Sequence, residues 1–388
     1  MIDRILAKKL LSLSRQFPIV SVMGPRQSGK TTLVKSVFPK ADYISLEDPD
    51  TISKAEKDPR GFLNSFKNKM VVIDEVQRMP SIFSYIQTIV DDRGKTGQFI
   101  FTGSQNYLLH QKVTQSLAGR VAILRLLPLS VSEINGAGIK FKSLEMLMQK
   151  GFYPALWNRK VSILDWYSSY IFSYLERDVR QIQNIINLSG FQKFIRLCAG
   201  RTGQILNLTS LGSDCGISHN TAKAWLSILE ASFIVHLLQP YYENFNKRII
   251  KAPKLYFLDS GLLCYLLNIY EPEAIVHHHM KGALFENFIF TELIKSRMHK
   301  NLPAEIYYWR DKTGNEIDFI LPASNGFHLI EAKAGETIGS DFLRGMDYFR
   351  RVSKRKAASA SLVYSGKNEY TSNGINIINW RTISQNPV

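Results

Sequence analysis

Residues 24–31 read Gly-Pro-Arg-Gln-Ser-Gly-Lys-Thr, a match to the spacing G-x-x-x-x-G-K-[ST]. Such a run suits phosphate. Gly24 and Gly29 allow a turn tight enough to aim backbone N–H groups at an anion. A helix starting where the turn ends adds the favourable pole of its dipole. In this reading Lys30 reaches the β- and γ-phosphates of ATP, and the Thr31 hydroxyl sits on Mg²⁺. Pro25, Arg26, Gln27, Ser28 and the following Thr32 complete the predicted ATP-binding run. Further along, Val71-Val72-Ile73-Asp74-Glu75 is an apolar strand ending in two acids. Asp74 is predicted to hold Mg²⁺ and Glu75 to activate the attacking water. Phe99-Ile100-Phe101-Thr102-Gly103-Ser104 offers Ser104 as a polar sensor of the γ-phosphate, with a capped turn as the alternative. Leu117-Ala118-Gly119-Arg120 offers Arg120 as the cation that meets transition-state charge, with a structural ion pair as the alternative.

A second constellation comprises Glu286, Asp318, Glu331 and Lys333. Glu286 lies in a helical segment whose Phe285, Phe288, Ile289 and Leu293 bury one side. Asp318 falls in an alternating strand, Glu316-Ile317-Asp318-Phe319, after a Gly314-Asn315 turn. Glu331 and Lys333 are one residue apart on a strand and so share a face. Carboxylates from Glu286, Asp318 and Glu331 can gather Mg²⁺, which lowers the pKa of a bound water, while Lys333 positions that water against a phosphate. An acid-x-Lys pair is also common on solvated strands. Lys295, Arg297, Lys300, Arg344, Arg350, Arg351, Lys354, Arg355 and Lys356 would suit a phosphate backbone, or else form ordinary solvated faces.

The elements that must position these residues change in texture along the chain. Up to about residue 140, short apolar runs (18–23, 43–46, 70–73 and 98–102) alternate with helical segments (31–37 and 81–90). Continuous rather than alternating apolar runs predict a parallel sheet covered on both faces. From about residue 141 to 275 the texture is helical. It includes a helix, turn and helix over 208–233, with Gly216 at the turn and Ser218 as the N-cap of the second helix. Ala222, Trp225, Leu226 and Leu229 form the inward stripe of that helix, leaving His219, Asn220 and Lys223 outside. Two strands (234–240 and 254–258) then flank a basic loop holding Lys247 and Arg248. From 276 to 388 a helix (284–298) leads to three strands (305–309, 316–321 and 327–332), a helix (341–352) and a strand (360–364). The expected domains are therefore 1–140, 141–275 and 276–388.

The four motifs GPRQSGKT, VVIDE, FTGS and LAGRV, in this order, resemble the prokaryotic AAA-type ATPases that carry a conserved C-terminal domain of formerly unknown function. The resemblance implies an AAA-like five-stranded parallel core and a helical, winged-helix middle segment. It also implies a C-terminal α/β domain similar to the PD-(D/E)xK restriction-endonuclease fold. Ser104 departs from the asparagine common at the sensor position of AAA+ motors.

The chain has 388 residues and a net charge of +16, with 49 Lys plus Arg against 33 Asp plus Glu. A field of that sign favours nucleic acid, DNA ahead of RNA, as partner. Cys198, Cys215 and Cys264 are too scattered for a disulfide framework or zinc site. The run His277-His278-His279 cannot converge on one metal and reads as a surface linker. No apolar stretch approaches membrane-spanning length, and the N-terminus reads as an amphipathic helix rather than a signal peptide, so a cytoplasmic protein without membrane contact is predicted. The leading expectation is a Mg-dependent ATPase acting on nucleic acid, its nucleotide state controlling a nuclease-like C-terminal domain. The alternative is a nucleotide-dependent switch or scaffold that binds DNA or protein without cleavage. Assembly into a homo-oligomer stays open.

Overall fold

The computed structural model describes residues 2–66, 69–104, 117–174, 187–241, 252–339, 342, 344–353 and 357–385. The chain forms two compact units. One comprises residues 1–129 with 231–233 and 297–302, and the other comprises 130–230, 234–296 and 303–388.

The first unit is built on five parallel strands: β1 (Ile19–Met23), β2 (Asp42–Ser45), β3 (Val71–Asp74), β4 (Phe99–Gly103) and β5 (Val121–Arg125). Their spatial order is β2-β3-β4-β1-β5. β1, β3 and β4 are buried at every position, as their unbroken apolar runs require. Around the sheet lie α1 (Leu6–Ser14), α2 (Lys30–Val37), α3 (Pro49–Lys57), α4 (Pro59–Asn64) and α5 (Ile82–Arg93). Leu6, Leu10 and Leu13 recur at helical spacing on α1 and pack with Val20, Val22, Leu33 and Val34, so α1 closes one face over β1 and α2. The register aligns Ile19 with both Phe99 and Val121, and Phe99 with Val71. The carboxyl ends of β1, β3, β4 and β5 therefore lie along one edge.

The second unit begins with helices α6 (Val131–Gly136), α7 (Leu144–Lys150), α8 (Pro154–Asn158) and α9 (Ile163–Tyr174). Then come α10 (Leu188–Ala199), α11 (Leu208–Cys215) and α12 (His219–Ala231), followed by an antiparallel ribbon of β6 (Val235–Leu238) and β7 (Lys254–Phe257). Gly216 takes a left-handed conformation at the turn, and the Ser218 hydroxyl accepts from the Thr221 N–H at 3.1 Å. Ala222, Trp225, Leu226 and Leu229 are buried while His219, Asn220 and Lys223 are exposed, as the periodicity requires. Lys247 and Arg248, and residues 175–186 of the middle segment expected to be helical, lie outside the described residues.

After α13 (Ser260–Leu266), α14 (Pro272–His277) and α15 (Lys281–His299) come β8 (Tyr307–Arg310), β9 (Glu316–Ala323) and β10 (Gly326–Lys333). The unit ends with α16 (Arg344–Val352), β11 (Ala357–Tyr364), β12 (Tyr370–Ser372), β13 (Ile375–Asn379) and α17 (Trp380–Gln385). The six strands form one mixed sheet in the order β12-β13-β11-β10-β9-β8. β8, β9 and β10 pair antiparallel, whereas β10 and β11 pair parallel. A parallel pair needs a crossover, and α16 supplies it. No helix among the described residues is long and apolar enough to cross a membrane.

Candidate active sites

The phosphate loop joins β1 to α2. Gly24 rests so closely on the end of β5 that a Cβ there would stand 2.1 Å from the Leu126 carbonyl oxygen. Gly29, the N-cap of α2, has φ 92°, a left-handed value that favours glycine. The Lys30 ammonium, only 6% exposed, folds back on its own loop and donates to the carbonyls of Gly24 at 3.0 Å and Pro25 at 2.9 Å. Pro25 and Ser28 are buried; Gln27 and Thr32 are exposed.

Asp74 and Glu75 end β3 at the same edge. The Thr31 hydroxyl donates to Asp74 Oδ2 at 3.0 Å. Tyr43, on β2, also donates to Oδ2, and Thr102, on β4, donates to Oδ1. Burial and the Asp74 carboxylate together push the Tyr43 hydroxyl well above its ordinary pKa, so it remains a donor. Three hydroxyls from three elements thus hold one carboxylate beside Thr31. A hydroxyl and a carboxylate side by side are hard oxygen ligands of the kind Mg²⁺ takes when it arrives with a nucleotide. Glu75 takes a left-handed conformation, φ 53°, unusual for a residue with a side chain. Its Oε2 accepts from Ser104 Oγ at 3.2 Å and from Gln77. Ser104 therefore reaches the same spot as Glu75.

Arg120 lies elsewhere. It immediately precedes β5, and its carbonyl accepts from Ile19 N–H, at the amino edge of the sheet. The strands separate it from the phosphate loop by five residues, roughly 16 Å at the rise of a strand. Its guanidinium grips Asp91 of α5 in a two-pronged pair at 2.6 and 2.8 Å, which lowers the Asp91 carboxyl. Arg120 therefore stands away from the phosphate loop of its own chain, in an ion pair of the kind the sequence also allowed.

In the second unit, Asp318 of β9 and Glu331 of β10 face each other across the antiparallel ladder, one step beyond the Phe319–Ile330 pair. Their carboxyl groups are close enough that each bears on the other's ionisation. Burial and the Asp318 charge push Glu331 well above the usual carboxylate range. Burial would raise Asp318 too, but the Lys333 and Lys254 ammoniums outweigh it and hold Asp318 low. Of the two, Glu331 is the one whose surroundings favour the protonated form. Asp318 Oδ2 also accepts from the Ala332 N–H at 2.9 Å, and Lys333 stands 3.0 Å from Glu331 and 3.8 Å from Asp318.

Glu286 of α15 is separated from this pair by a lysine that sequence reasoning missed. Lys254 of β7 is 2% exposed, donates to Glu286 at 3.0 Å, pairs with Glu316 and lies 4.0 Å from Asp318. Tyr256, two residues along the same face of β7, donates to Glu286 as well. Burial alone would lower the Lys254 ammonium; the surrounding acids reverse that and hold it well above its ordinary value. Among the described residues, no three His, Cys, Asp or Glu side chains stand around one point as a metal would need. Glu286, Asp318 and Glu331 thus stand as a pair and a single acid with an ammonium between them. The cluster forms the floor of a cavity of about 740 Å³, whose lining also includes Arg310, Asn315, Phe342 and Arg344. Lys295, by contrast, is fully buried, paired with Glu292 at 3.0 Å and stacked on Phe152, so it faces no phosphate. Lys354, Arg355 and Lys356 lie outside the described residues.

Residues 16–135 match the family described as the AAA domain. The match covers the parallel sheet and phosphate loop of the first unit, a P-loop ATPase-like domain. Residues 141–273 and 281–383 match two families described as domains of unknown function, DUF8612 and DUF4143. An uncharacterized protein of Mycobacterium tuberculosis is 28% identical over 333 residues, covering 85% of this chain and 74% of its own. An uncharacterized protein of Methanocaldococcus jannaschii is 26% identical over 210 residues, covering 45% of this chain and 44% of its own. Among solved structures, the Walker-type ATPase of Pyrococcus abyssi aligns with a TM-score of 0.48 at 14% identity, covering 69% of this chain and 96% of its own.

The ATPase domain also contains residues that the motifs did not mark. Thr102 sits inside the FTGS run, yet only its register opposite Val22 on β1 and its bond to Asp74 give it a role. Tyr43 and Gln77 carried no signal in spacing. Glu316 did carry one: it shares a strand face with Asp318 by alternation.

Proposed function

We propose that this protein is a Mg-dependent ATPase that acts on nucleic acid, with nucleotide state at the first site governing a nuclease-like C-terminal domain. The observation that carries the ATPase half is the cluster at one sheet edge of Lys30, Thr31, Asp74, Glu75 and Ser104. Thr31 and Asp74 would hold Mg²⁺, which supplies charge neutralisation between the β- and γ-phosphates. Glu75 orients the attacking water, held in place by Ser104 and Gln77. Lys30 exchanges its loop carbonyls for phosphate oxygens. Arg120, at the far edge of its own sheet, would serve the site of a neighbouring copy, released from Asp91.

For the C-terminal half, the element sequence helix, three antiparallel strands, helix, parallel strand (α15 to β11) supports the PD-(D/E)xK-like reading, as does the convergence of Asp318, Glu331 and Lys333. The division at about residues 140 and 275, with a winged-helix middle segment, belongs to the same proposal. Positive charge in excess of negative by 16 favours a nucleic-acid partner. The second reading, a domain that binds DNA without cutting it, is favoured by Lys254, whose ammonium sits among the carboxylates in place of a shared cation.

The deciding experiment incubates the purified chain with single- and double-stranded DNA and RNA in Mg²⁺ or Mn²⁺, with and without ATP. Cleavage that Asp318→Ala removes while ATP hydrolysis persists supports the nuclease reading. Salt-sensitive binding without cleavage under any condition supports the second.

A further inference from the structure

Arg4 lies outside every motif, in the short segment that precedes α1. Its guanidinium nevertheless reaches the phosphate loop, donating from Nη1 to the Ser28 carbonyl at 2.6 Å and from Nη2 to the Leu127 carbonyl at 2.6 Å. One planar group thus ties the loop to the backbone beyond β5, next to the Leu126 carbonyl on which Gly24 rests. Ser28 is fully buried, so its carbonyl must find a donor inside the protein. The position of Arg4 is itself fixed from both sides, since Ile2 and Leu6 are buried and α1 is docked on β1 and α2 through Leu6, Leu10 and Leu13.

The consequence follows from the geometry of one peptide. In a trans peptide the C=O and the following N–H point in opposite directions. Holding the Ser28 C=O toward Arg4 turns the Gly29 N–H the other way, away from Arg4. Gly29, with φ 92° and no Cβ, is the residue of the loop that could most easily turn over. We propose that Arg4 is a positioning residue for nucleotide binding: it locks the Ser28–Gly29 peptide with its N–H facing the phosphates. The N-terminal segment is then part of the nucleotide site although it touches no nucleotide. This rests on the reading of the loop as an ATP site.

The test measures MgADP affinity by calorimetry, and KM and kcat for ATP, in the full chain. Arg4→Met should weaken MgADP about tenfold or more and raise KM by a similar factor, about 1.4 kcal/mol per tenfold. It should change kcat at saturation far less, and the melting temperature of the nucleotide-free protein should fall only modestly, the Ser28 and Leu127 carbonyls having lost a donor. Arg4→Lys, which keeps a cationic donor, should recover part of the affinity, and Lys8→Met, on the exposed face of α1, should change nothing. Wild-type affinity in Arg4→Met overturns the proposal, as does a loss confined to kcat. If Arg4→Met does not fold, Arg4→Gln takes its place and is judged by the same MgADP comparison. A wild-type chain that binds no MgADP would instead sink the ATP reading, and this proposal with it.

Discussion

Asp74 accepts hydroxyl protons from Thr31, Tyr43 and Thr102, so its orientation is set before any ion arrives. Thr102→Val keeps the shape of the buried side chain and removes one of those bonds. Hydrogen bonds to charged groups contribute about 1.5–3 kcal/mol, so ATP turnover should fall roughly tenfold while the fold persists. Unchanged turnover would show that Tyr43 and Thr31 suffice. Two further substitutions separate binding from chemistry. Lys30→Ala should abolish or severely weaken binding of a fluorescent ATP analogue, because the β- and γ-phosphates lose their cation. Glu75→Gln should bind that analogue normally yet hydrolyse ATP about 10²-fold more slowly, the usual scale for a general base. At this scale the sequence was informative where spacing alone defines a site: the loop, Asp74 and Glu75 all lie at one edge. It was silent on Tyr43, Gln77 and Arg4, whose roles depend on tertiary distance, and spacing does not carry that.

Elements, rather than single residues, decide the role of Arg120. A parallel sheet has two edges with different duties, and the start of β5 lies at the edge away from the phosphates. The motif LAGRV placed an arginine just before a strand but could not say which edge that strand would present, because the pairing of β5 with β1 is a long-range event. Arg120→Ala should lower turnover while leaving ATP affinity nearly intact, and mixing it with Lys30→Ala should restore part of the activity through interfaces that keep both intact parts. No restoration, with the protein shown to be oligomeric, would assign Arg120 to its ion pair with Asp91 alone. A second elemental prediction concerns the close approach of the loop to the end of β5. Gly24→Ala would drive a methyl group into the Leu126 carbonyl, and overpacking of that kind costs about 1–3 kcal/mol. A lower melting temperature together with lost nucleotide binding is the expected result. The longer helices and most strands were read from periodicity and apolar runs; β5 was missed although its Val-Ala-Ile-Leu run matches those of β1 and β4, and β12 and β13 carry no such run.

Across the whole molecule, the excess of basic residues predicts DNA binding that weakens steeply with salt, log K falling linearly with log salt concentration. Binding that holds constant from about 50 to 200 mM salt would remove nucleic acid as the partner. Lys254 bears on a different question, that of inheritance. It lies in the stretch matching one family, residues 141–273, whereas Glu286, Glu316 and Asp318 lie in the stretch matching another, residues 281–383. A fragment cut between those stretches keeps three acids and loses the ammonium that balances them. Buried charge left without its partner is strongly destabilising. Natural shuffling would meet the same difficulty: a C-terminal domain joined to a foreign middle segment arrives with an unbalanced floor. The two stretches are therefore expected to travel between genes as one piece, and a lineage that replaces Lys254 should also have changed the acids around it.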